Sequence, residues 1–144
     1  MNVWLVIANP YAYDKAMWRA ISEAQQRQTQ LVVVYFISTQ AMGTIIHDLA
    51  DVGFIGHSSL RNLQNSMLAG YRGLADDVLK RVQRKAEGID LRIEGVVEEP
   101  SLFDYIMRIA NLDPVKIVIA GQNLNSLTPR LDNLPEIVEY IEEE

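Results

Sequence analysis

The sequence contains no cysteine, which removes disulfides, thiolate metal sites and a cysteine nucleophile in one step. It also lacks any long apolar run. The longest, residues 31–37, is far shorter than the roughly 20 residues a helix needs to cross a bilayer. No basic stretch precedes an apolar core at the N-terminus, so no export signal is expected and the cytoplasm is the expected compartment. Positive charge is in the minority, with 13 Lys and Arg against 19 Asp and Glu and a net charge of −6. The one basic cluster, Lys80, Arg81, Arg84 and Lys85, falls near an expected helix C-terminus, where cations complement the helix dipole. An acidic domain repels phosphates, so neither nucleic acid nor a membrane is an expected partner.

What remains has the balance of a globular domain: 49% apolar and 22% charged residues over 144 positions, read as one domain spanning 1–144. Residues 3–8 form an apolar run that stops at Asn9-Pro10, the pattern of a strand buried on both faces. Asp14 is placed to cap a first helix carrying Met17, Ala20, Ile21 and Ala24. Residues 31–37 are a second central strand, β-branched and aromatic without alternation. The stretch 38–59, with three glycines and both histidines, reads as a short helix plus a loop. From residue 60 to 87, Leu63, Met67, Tyr71, Leu74, Val78 and Val82 recur at helical spacing, with Ser58 or Ser59 as cap and Gly88 beyond the end. Gly70 and Gly73 make a break inside that helix the main risk.

Residues 91–97 predict a third strand, and Ser101 with Asp104 opens a helix carrying Leu102, Phe103, Ile106 and Ile109 that Asp113-Pro114 stops. Residues 115–120 are the fourth strand, turned by Gly121. Asn133 and Glu136 frame a last short helix with Leu134, Ile137, Val138 and Ile141, ending in three glutamates expected to fray. Four such strands separated by helices predict an α/β fold: a single doubly wound, mostly parallel, Rossmann-like sheet with helices on both faces. Ligands of such sheets sit at the carboxyl ends of the strands. That crevice is expected to be bordered by Asn9, Pro10, Ser38, Thr39, Gly121, Gln122 and Asn123.

Known catalytic signatures fail on inspection. Gly56-His57-Ser58-Ser59-Leu60 approaches the nucleophile elbow G-x-S-x-G, but its fifth position is Leu60 and no histidine follows the serine, so a helix cap is the better reading. His47, Asp48 and Asp51 lack a fourth metal ligand nearby and read as surface polar residues. Neither a Walker A nor a G-x-G-x-x-G sequence follows the first strand. The acidic positions of a receiver domain are missing as well, with Asn9-Pro10 after the first strand and Val97-Glu98-Glu99-Pro100 after the third. No catalytic residue and no metal is expected.

The strand ending in Asn9-Pro10, the Val-rich second strand, and the succession Ile93-x-Gly95-x-Val97, Pro100-Ser101-x-x-Asp104-x-Ile106 and Asp113-x-Val115-x-Ile117-Val118-Ile119-Ala120-Gly121 resemble the universal stress protein (UspA-like) family over nearly the whole chain. The resemblance implies the adenine nucleotide alpha hydrolase-like fold. Family members that bind ATP carry an aspartate near the end of the first strand and a loop G-x2-G-x9-G-[ST] after the fourth, whose backbone N–H groups hold the phosphates. Here Asn9 stands at the aspartate's place, and only Gly121 matches the loop, with Leu124, Leu134 and Pro135 at its other positions. The resemblance therefore implies a non-catalytic, stress-related module that binds a partner or small ligand. Its alternative is an ATP- or AMP-binding member with a non-standard site and at most slow hydrolysis. The family's fifth strand has no expected counterpart, which would leave the fourth strand, guarded only by Lys116 and Pro114, at an edge where two copies pair as a homodimer. The region of Met67 and Tyr71 is the competing surface.

Overall fold

The computed structural model describes residues 2–43, 46, 57–121 and 135–142. In chain order the elements are β1 (Asn2–Ile7), α1 (Asp14–Arg27), β2 (Gln30–Ser38), α2 (His57–Lys85), β3 (Leu91–Glu99), α3 (Leu102–Ala110), β4 (Lys116–Gly121) and β5 (Val138–Glu142). The strands form one sheet in the order β3-β2-β1-β4-β5, and every pairing is parallel. Parallel neighbours require crossovers, and these place α1 and α2 on one face and α3 on the other.

The central strands lie where their composition directs them. Val3 to Ile7 of β1, Leu31 to Ile37 of β2 and Ile117 to Ala120 of β4 are buried, as expected of unalternating apolar runs covered on both faces. One core joins Leu5, Ile7, Val33, Tyr35 and Val118 to Met17, Ala20 and Ile21 of α1 and to Val78 and Val82 of α2. The other joins Trp4, Val6, Val34, Phe36 and Ile119 to Leu102, Tyr105, Ile106 and Ile109 of α3.

Several local expectations change. The last element is a strand: Val138 pairs with Ile117 and Ile141 with Ala120, so the sheet has five strands and β4 lies inside it. Val138 and Tyr140 face α3 while Ile141 faces the α1 side. Apolar residues on both faces of a short edge strand mimic helical spacing, while the β-branched and aromatic residues favour the strand. A homodimer through a bare β4 edge is thereby ruled out.

Asp14 is the first residue of α1 and makes no cap; it pairs with Arg81 of α2 at 2.6 Å. Helix α2 starts at His57, which puts Ser58 and Ser59 in its first turn, and it runs through Gly70 and Gly73 without a break. Its apolar stripe docks through Ala75, Val78 and Val82, with Ala86 buried just past its end and Met67, Leu68 and Tyr71 at the margin of the core. Ser101 caps α3 as its spacing predicts, the Asp104 N–H donating to its Oγ at 3.2 Å. Strand β3, on the outer edge, carries a bulge between Val33 and Val34 of its partner, where Gly95 takes a positive φ of 99°. The bulge turns Ile93 and Val96 to the same sheet face and leaves both partly exposed.

Candidate functional site

The strand order reverses direction between β1 and β4: from β1 the chain winds outward through β2 and β3, and β4 and β5 then fill the other side. In a parallel sheet the loops leaving the carboxyl ends at such a point part in opposite directions and open a crevice. Asn9 and Pro10 leave β1 there, and Gly121 ends β4 beside them. The Ala8 N–H donates to Ala120 O at 2.8 Å and ties the two ends together. Ser38 ends β2 on the other side of β1. The structure thus gathers Asn9, Pro10, Ser38 and Gly121 at one end of three adjacent strands, while Gln122 and Asn123 lie outside the described residues.

Asn9 and Ser38 serve the backbone around them. Asn9 is buried, and its Oδ1 accepts from the Tyr11 N–H at 3.1 Å, turning the chain out of β1. The Ser38 hydroxyl donates to Pro100 O at 2.8 Å and accepts from the Ala41 N–H at 3.1 Å, capping the helical turn at residues 39–43. Gly121 is small for a steric reason. A methyl group built on it would fall inside the ring of Tyr140, which reaches back from the neighbouring strand. Burial pushes the Tyr140 phenol up to about 12, consistent with a ring packed against the sheet.

Tyrosines link the loop after β1 and the strand β2 to α2. Tyr11, 72% exposed, meets the ring of Tyr71 at 6.3 Å. The buried Tyr35 hydroxyl donates to Tyr71 O at 2.8 Å, fixing α2 where it passes the strand ends, and desolvation raises the pKa of that phenol. The loop from β1 to α1 is pinned again by Arg81, which stacks over Tyr13 and pairs with Asp14. Sequence reasoning missed Tyr140 and Tyr11, and it read Tyr71 only as part of the long helix's apolar stripe and of a competing surface. Reading residues 138–142 as a strand in register with β4 is the signal that finds Tyr140, because a long side chain reaches its diagonal neighbour across a ladder. Among the described residues no three His, Asp or Glu side chains converge on a metal position, and His47, Asp48 and Asp51 lie outside them.

The overall fold is shared with solved structures. Universal stress protein UspA from Lactobacillus plantarum superposes with a TM-score of 0.65 at 15% identity, covering 100% of this chain and 97% of that one. The chain has the universal stress protein fold. A universal stress protein from Archaeoglobus fulgidus gives a TM-score of 0.57 at 12% identity over 97% of this chain and 92% of the other. A member of that family from Burkholderia pseudomallei gives 0.54 at 19% identity over 97% and 94%. No protein-family model and no curated protein matches the sequence.

The residues described here do not fit the phosphate loop associated with this fold's ATP-binding members. Of the loop's small residues only Gly121 is present, and its open side is filled by Tyr140. Pro135, at the place of the hydroxyl residue, offers neither a hydroxyl nor an N–H.

Proposed function

We propose that this chain is a universal stress protein-like regulatory module without catalytic activity, acting through a partner or a small ligand held at the crevice bordered by Asn9, Pro10, Ser38, Gly121, Gln122 and Asn123. The observation that carries this reading is the seating of Tyr140 on Gly121. It accounts for the one glycine of the phosphate loop that the sequence retains, with no need of a nucleotide. The committed hydroxyl of Ser38 and the turn formed by Asn9 support it, since both already serve the protein's own backbone.

The reading extends to location and assembly. Among the described residues no helix is long and apolar enough to cross a membrane, and we assign the chain to the cytoplasm as one domain that pairs as a homodimer. With β4 covered, the outer strands of the sheet among the described residues are β3 and β5, and their outer sides are the candidate edges for such pairing. Mass spectrometry of small molecules released from the purified native protein tests the functional reading. The expected result is no stoichiometric ATP or AMP. Co-purified adenine nucleotide would replace this reading with the nucleotide-binding alternative.

A further inference from the structure

Strand β3 closes one side of the sheet among the described residues, where it pairs with β2 alone. At nine residues it is as long as β2, and two of its apolar side chains, Ile93 and Val96, are 37% and 43% exposed. A long outer strand with exposed apolar residues is a ready template for another chain, because its outward N–H and C=O groups have no partner in the sheet. Two features of β3 work against such pairing. The first is the bulge. Val33 pairs with Ile93 and Val34 with Gly95, so Glu94 is an extra residue, and Gly95 takes the positive φ of 99° that an L side chain rarely adopts. An incoming strand in step with residues 91–93 is one residue out of step from Gly95 onward, and a slip of one residue turns its side chains to the opposite face.

The second feature is charge. Four of the nine residues of β3 are charged, against none in β1 or β2, so this strand alone of the three is unsuited to a place inside the sheet. Each charge is held by a counter-charge. Arg92 Nη2 lies 2.9 Å from Glu94 Oε1, Glu98 accepts from Arg72 at 2.7 Å, and Glu99 accepts from Arg108 at 2.5 Å. The Arg92 guanidinium also lies over the Trp4 ring, 5.8 Å from its centre. The Arg92–Glu94 pair includes the bulged residue itself, and its side chains are 48% and 39% exposed, so a strand laid beside them would strip water from both.

We propose that the outer side of β3 is a locked edge: the Gly95 bulge and the Arg92–Glu94 pair keep it from taking up another strand, a second copy of this chain included. The lock acts outward only. Inward, β3 keeps its ladder to β2 on both sides of the bulge, from Leu91 to Ile93 and from Gly95 to Glu99. Contacts between copies are directed to surfaces other than this edge, and the lock holds whether or not the chain forms the proposed homodimer.

A variant that lacks Glu94 and carries Arg92→Thr loses the extra residue and the ion pair together. Sedimentation velocity of this variant and of the wild type between about 5 µM and about 500 µM tests the proposal. The variant should gain mass with concentration, at least about twofold beyond the wild-type assembly, and adding Val96→Lys should restore the wild-type mass by returning a charge to the edge. A variant with the wild-type circular dichroism spectrum that also keeps the wild-type mass throughout overturns the proposal. Amide hydrogen exchange of the wild type is a second measure and needs no variant, so it decides the matter if the deletion does not fold. The β3 amides that do not bond to β2 should exchange fast over the whole concentration range. Protection of those amides at any concentration would show the edge paired and contradict the lock.

Discussion

At the scale of single residues, the contact of Tyr140 with Gly121 makes the sharpest demand. Gly121→Ala places a methyl group inside the ring, so ring or strand must shift, and overpacking of this kind costs about 1–3 kcal/mol. In a Tyr140→Ala background the same change meets no ring. Denaturant titration of the two single variants and the double variant should therefore show the second Gly121→Ala costing at least about 1 kcal/mol less than the first. Strict additivity would contradict the contact. Asn9, Ser38 and Gly121 were legible in the sequence because each stands where an apolar run stops, and a parallel sheet brings such ends together. The aromatic residues at the same place were not. Tyr11 meets Tyr71, and Tyr140 meets Gly121, only through the fold, and no local spacing encodes either pair.

At the scale of elements, legibility followed burial. Strands β1, β2 and β4 are unalternating apolar runs, and α3 announces itself through Ser101 and Asp104; all four form as the sequence implies. Strand β5 was obscured by the symmetry of its own burial, with Val138 and Tyr140 turned one way and Ile141 the other. One local signal against a helix was present: three glutamates would have stood at the end where the helix dipole disfavours anions. Helix α2 tests the account of packing. Its glycines at 70 and 73 lie in open space, where a missing side chain leaves no gap, and its grip on the sheet comes from Val78 and Val82. Val78→Asp should bury an unpaired carboxylate in that core and cost about 3 kcal/mol or more, seen as a large drop in melting temperature. A variant that melts with the wild type would show the helix free of the sheet.

At the scale of the whole molecule, the order β3-β2-β1-β4-β5 fixes where a ligand crevice lies, and the side chains there decide what the crevice accepts. The fold is that of the universal stress proteins. The proposal that this crevice takes no triphosphate rests on the sequence at the end of β4, where leucine stands at two positions that are glycine in the phosphate loop of ATP-binding members, and glycine lets backbone N–H groups approach a phosphate closely. Isothermal titration calorimetry of the native chain with Mg-ATP is the most direct test of this claim. The account predicts no binding in the micromolar range or tighter. A micromolar or lower dissociation constant that is lost in Gly121→Val, with the variant still folded, would contradict it and place the nucleotide at the end of β4.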